Sequence, residues 1–215
     1  MPRHTTLNSE KNRTSRLSRS MSIAVVLAIA SSGALASGEA ATAAELPATT
    51  ATSFVAGADT LDPIGSLVEQ RLALADPVAQ SKWLSGKAIT DTAREQAVVD
   101  EAVALAKKDG VDPALVERVV RDQIAASKVV QRGLISGWKH NPASAPKTAP
   151  DLTAIRPQLD SIDTALVAAI GNASAVANDP RCAHAVNTER GRTYPGMDSL
   201  HRKAIKAAWA SFCAN

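Results

Sequence analysis

From Ile64 onward apolar side chains recur at helical intervals, with Ile64, Leu67, Val68, Leu72 and Ala75 standing at i, i+3, i+4, i+8 and i+11. Asp76-Pro77 reads as a cap followed by proline in the first helical position, opening a short helix through Trp83. Thr90 and Asp91 open the next, whose stripe is Val98, Ala102 and Leu105; Lys107, Lys108 and Gly110 are its stop signals. Asp112-Pro113 starts the longest helix, with Val116, Val119, Val120, Ile124, Leu134, Ile135 and Trp138 on one face. The proline-rich stretch 141–150 must be an extended connector. A helix from about Pro157 carries Leu159, Ile162, Leu166 and Ile170; another begins at Asp179-Pro180; Asp198 caps the last, which runs through Leu200, Ala204, Ala208 and Phe212. No strand pattern of comparable length occurs. The pattern predicts a single all-α bundle of about six helices over residues 63–215.

Composition supports helices: apolar residues make up 45% of the 215 but aromatics only 3%, too few for a sandwich or barrel core. The formal charge of +3 changes the picture less than it first suggests. Residues 1–43 hold five basic and two acidic side chains, so the remainder carries 19 of each sign and no phosphate-binding excess; nucleic acid is not an expected partner. Arg13, Arg16 and Arg19 precede the apolar run Met21–Leu35, followed by small residues, which is the pattern of a secretory signal peptide over 1–43. Cleavage after Ala36 or after Ala43 is compatible with it. The run is too short and too broken by Ser and Gly to remain as a membrane anchor. A secreted or periplasmic protein is expected, with residues 44–62 a loose arm rich in Ala, Thr and Gly. In such a chain the isolated pair Cys182 and Cys213 reads as a disulfide, with two buried free thiols as the alternative.

Polar residues interrupt the apolar stripes. Arg71 lies at i+7 from Ile64; Lys82 follows Val78 by four; Asp91, Arg94 and Glu95 continue the Val98 line backwards; Gln123, Ser127 and Gln131 fill the face of the longest helix. One such residue can snorkel to water. Interruptions on several helices must instead meet one another or a ligand, because an unpartnered buried polar group costs roughly 1 to 3 kcal/mol. With Arg156 at the start of the fifth helix, four inward cations face two carboxylates, a surplus that suits a dianion. Phosphate loops, nucleophile elbows and zinc-type pairs are missing, and neither metal nor cofactor is expected. The chemistry left is passive binding, or catalysis by electrostatics and conformational restriction.

These residues resemble the exported, all-helical chorismate mutases. The resemblance rests on Arg71-Leu-Ala-Leu-Ala-Asp-Pro-Val, Lys82-Trp83, Asp91-Thr-Ala-Arg94-Glu95, Asp122-Gln-Ile, the run Trp138 to Pro146, and Asp151-Leu. It implies a chorismate mutase type II-like bundle that rearranges chorismate to prephenate. Arg71, Arg94 and Arg156 would hold the carboxylates, Lys82 one carboxylate and the ether oxygen, and Gln131 that oxygen too. Glu95 with Asp91 would hold the substrate hydroxyl, and Ser127 would support a carboxylate. The family also implies a homodimer, with a site completed in one chain by Arg156 where the cytosolic relatives borrow an arginine. Several exported relatives carry Glu where this chain has Gln131. Pro157 predicts extended backbone at Arg156. The competing readings are a catalytically inactive module binding a small dicarboxylate as sensor or effector, and a structural bundle whose inward charges pair among themselves.

Overall fold

Helix α1 spans Thr49–Ala73 and so begins well before the Pro63 start read from the sequence. The computed structural model describes residues 49–214; the expected signal peptide over 1–43 lies outside the described residues. The expected loose arm is therefore helical from Thr49. Ala58 and Leu61 extend the buried face of Ile64, Val68 and Leu72 by two more turns, so the helix gains core contacts on the N-terminal side of the proline. Pro63 sits on the exposed side; it removes the N–H that would have bonded the Asp59 carbonyl and its ring crowds that carbonyl, a cost the added buried turns offset. The Asp59 side chain pairs with Arg192, at 2.7 Å.

Helix α2, Ala75–Ser85, follows after a single turn residue, Leu74. Asp76 is not its cap; it lies inside the helix and meets His201 Nε2 at 3.2 Å. Helix α3, Thr92–Asp109, is capped by Asp91, whose Oδ1 accepts the Arg94 N–H. Its buried face is Val99, Ala102 and Ala106, one residue round from the expected Val98 stripe, which leaves Val98 to face a cavity. Helix α4, Pro113–His140, runs through the centre and packs against α2, α3 and a C-terminal helix, α8.

After a 3-10 turn at Pro142–Ser144, α5 occupies Leu152–Asn172. The sequence placed its start near Pro157, five residues late. Asp151 caps it, with Oδ1 accepting the Thr153 N–H at 2.8 Å and Oδ2 accepting the Thr153 hydroxyl at 2.6 Å. That cap commits the first turn to helix before Pro157 is reached, so Arg156 is helical and not extended. A single turn, α6 (Ser174–Ala177), leads to α7 (Cys182–Thr193) and α8 (Ser199–Ala208). The described residues contain no strand. They lie in one compact unit, Leu46–Asn215, whose core joins Leu61, Val68, Val116, Val120, Leu166, Ile170, Ile205 and Phe212.

Phe212 lies beyond α8, yet it is fully buried, because several bonds fasten the C-terminal segment to α4. Asp122 accepts the Ser211 N–H and hydroxyl, Arg118 donates to the Ser211 carbonyl, and Gln123 donates to the Ala208 carbonyl at 2.8 Å. Gln123 thus interrupts its stripe for structure alone. Cys182 and Cys213 form a disulfide, as read from the sequence, across a separation of 31 residues. Cys182→Ser together with Cys213→Ser should cost roughly 3 to 4 kcal/mol on the chain-entropy account. Denaturant unfolding checks this, with the midpoint expected to fall and turnover by the folded protein expected to stay unchanged.

Candidate active site

The site forms where α1 ends, α2 and the following loop cover it, and α3, α4 and α5 converge. A cavity of about 230 Å³ lies there, below the usual range of roughly 300 to 1,000 Å³ for small-ligand sites. Its lining includes every site residue expected from the sequence: Arg71, Lys82, Asp91, Arg94, Glu95, Ser127, Gln131 and Arg156. Apolar walls come from Val78, Ile89, Val98, Ile124, Ile155 and Leu159. Regular spacing within each helix explains the convergence. On α4, Ile124, Ser127 and Gln131 stand at i, i+3 and i+7; on α3, Asp91, Glu95 and Val98 do so at i, i+4 and i+7.

Arg71 is buried, with its Nε 3.3 Å from Asp163 Oδ1. The pair is in Coulombic contact but misaligned for a hydrogen bond, and both atoms are buried without any other partner. Burial pulls the Arg71 guanidinium down from its ordinary pKa, and Asp163 opposes that. Burial pushes the Asp163 carboxyl up, against the pull of Arg71. Arg94 donates to Asp160 Oδ1 at 3.0 Å at the half-exposed rim. Arg156 is exposed and reaches the same cavity from α5.

Lys82 is half-buried, and its Nζ donates to the Ile89 carbonyl. The connecting loop can fold back onto it because Gly86, at φ 67°, ends α2 in the left-handed region. Burial lowers the Lys82 pKa; Glu95 and Asp91 oppose the fall and Lys128 adds to it. Gln131 donates from Nε2 to Ser127 Oγ at 2.9 Å, while its Oε1 is buried without a partner.

Reading the sequence missed four charged lining residues: Lys87, Lys128, Asp160 and Asp163. Three had a signal. Lys128 is i+4 from Ile124, and Asp160 and Asp163 are i+4 and i+7 from Arg156. The charge tally therefore changes from four cations and two carboxylates to six and four, with the surplus of two positive charges preserved.

An all-helical bundle enclosing a small cavity with a dipositive excess defines a protein that takes a compact organic dianion. The chorismate mutase type II family matches residues 59–132. The secreted chorismate mutase of Mycolicibacterium smegmatis is 37% identical over 163 residues, covering 74% of this chain and 90% of that one. The Mycobacterium tuberculosis protein of the same name is 33% identical over 164 residues, covering 74% and 82%. A crystal structure of chorismate mutase from Burkholderia thailandensis superposes with a TM-score of 0.68 at 36% identity, covering 72% of this chain and 99% of that one. The chain belongs to the chorismate mutase type II family.

Proposed function

We propose that this chain is an exported chorismate mutase whose cavity carries out the Claisen rearrangement of chorismate to prephenate. Its relatives named secreted chorismate mutases and the leader pattern ending in Met21–Leu35 support export. No helix among the described residues is long and apolar enough to cross a membrane. The observation that carries the reaction is the meeting of eight polar residues from α1 to α5 on one cavity with two positive charges in excess.

The reaction is unimolecular and forms no bond to the protein, so rate comes from holding the reactive conformer and stabilising developing charge. Arg71, Arg94 and Arg156 take the two carboxylates, and the misaligned Arg71–Asp163 pair leaves Arg71 donors to give. Negative charge grows on the ether oxygen as its bond to the ring carbon breaks. Lys82 and Gln131 donate to that oxygen. Glu95 and Asp91 accept from the ring hydroxyl, and Ser127 supports a carboxylate. The resemblance supports a homodimer, although the cavity already takes all these residues from one chain.

Loss of chorismate absorbance on adding the purified protein tests the activity; no turnover would sink the proposal. Arg156→Ala separates binding from chemistry. An arginine that holds a carboxylate equally in ground and transition states contributes roughly 1.5 to 3 kcal/mol, so KM should rise about 10- to 100-fold with kcat little changed. Unchanged kinetics would show that the exposed Arg156 does not touch substrate.

A further inference from the structure

The carboxylate of Glu95 is held at both oxygens. Oε1 accepts the Asp91 N–H at 3.2 Å, which completes a reciprocal cap at the start of α3. Oε2 accepts from Lys128 Nζ, on α4, at 2.7 Å. Both side chains of this ion pair are mostly buried, 18% exposed for Lys128 and 25% for Glu95, so the attraction is not lost to solvent as at a surface pair. Lys82 stands within electrostatic reach of Glu95 and Asp91, yet its Nζ is bonded to the Ile89 carbonyl and to neither carboxylate. A cation that must donate to a developing oxyanion is weakened when a carboxylate sits on it. Lys82 and Glu95 are natural partners, and something must keep them apart.

We propose that Lys128 is a positioning residue of the active site, drawing Glu95 onto α4 so that Lys82 stays unpaired for the substrate. The inference rests on the roles given above to Lys82 and Glu95. Lys128 acts through Glu95 and needs no contact with the ligand. Its own charge is spent on the ion pair, so its removal bears on the chemical step more than on binding. In its absence Glu95 turns to Lys82, which already lies within its electrostatic reach, and the ether oxygen loses the strength of that donor.

The test compares kcat and KM of Lys128→Met, Lys128→Arg, Glu95→Gln and the double variant Lys128→Met with Glu95→Gln, each checked for folding by thermal melting. Lys128→Met should lower kcat about tenfold with KM changed less than about threefold, and Lys128→Arg should restore most of the loss. In the Glu95→Gln background Lys128→Met should cost less than about twofold more, because residues acting as a unit are not additive. Wild-type kcat in Lys128→Met alongside an impaired Glu95→Gln would overturn the proposal and leave the site reading standing. Losses that multiply in the double variant would overturn it too, showing Lys128 to act directly on the substrate. Wild-type kinetics in both single variants would overturn the proposal together with the role given to Glu95. Should Lys128→Met fail to fold, the arginine variant decides. It keeps the ion pair and must turn over near the wild-type rate, and a loss as large as that of Glu95→Gln would overturn the proposal.

Discussion

Lys82→Ala should lower kcat by about 10² to 10³-fold, the scale for deleting one preorganised donor to a developing oxyanion. Three features make this the largest single effect. Lys82 brings a full charge to a partly dry cavity, where an ionic hydrogen bond is worth more than a neutral one. Its ammonium is held in place by the Ile89 carbonyl, so little reorganisation is needed when the bond breaks. The Glu95 carboxylate, which could neutralise it, is bonded elsewhere. Stability should change little, because the half-buried ammonium already bears a desolvation cost that its removal relieves. Steady-state kinetics with a thermal melt check both statements. A folded variant that keeps a near wild-type kcat would remove Lys82 from the reaction.

The second large effect is a pH dependence that can be switched on. Gln131 is buried, with its amide nitrogen on the Ser127 hydroxyl and its carbonyl oxygen without a partner. A hydroxyl both donates and accepts, so turning the amide keeps the Ser127 bond and brings the N–H₂ to where the carbonyl stood. That donor has no proton to lose. The wild-type kcat/KM should therefore be nearly flat from roughly pH 5 to 8.

The groups that bound the window have known directions. Below it, the raised Asp163 carboxyl takes up a proton sooner than an exposed aspartate would, which loosens its grip on Arg71. Above it, the lowered Lys82 ammonium loses its proton earlier than an exposed lysine would. Gln131→Glu places a carboxyl that donates only while protonated. Burial would raise its pKa and Lys82 would lower it. Above that pKa, kcat/KM should fall about tenfold per pH unit. A pH-rate profile of both proteins checks this; a wild-type curve that falls steeply inside the window would assign the ether oxygen to another group.

The helices of the fold were legible because caps and apolar periods are local. Asp91, Asp112 and Asp198 each cap the helix that the sequence assigned to them, through bonds two or three residues long. The two late starts, at α1 and α5, share one cause. The sequence places each start near a proline, yet a proline inside a helix costs about 3 kcal/mol in a lost hydrogen bond and a crowded carbonyl, which further buried turns or a strong cap can outweigh. Asp76 had the local form of a cap, and only the arrival of His201 from α8 shows that it serves another purpose.

The sequence by itself determined which residue types line the cavity and the sign of its charge. Residues at i, i+3, i+4 and i+7 must share a helix face, whatever that face packs against. Only the tertiary structure decided which of those charges are spent and which are available. The pairs Arg71–Asp163, Arg94–Asp160 and Glu95–Lys128 join α1 to α5, α3 to α5 and α3 to α4. Helical periodicity sets a face to within a residue or so but says nothing of the rotation and height at which another helix meets it. Distances of 3 Å between side chains depend on both, and they are set by the packing of the whole core.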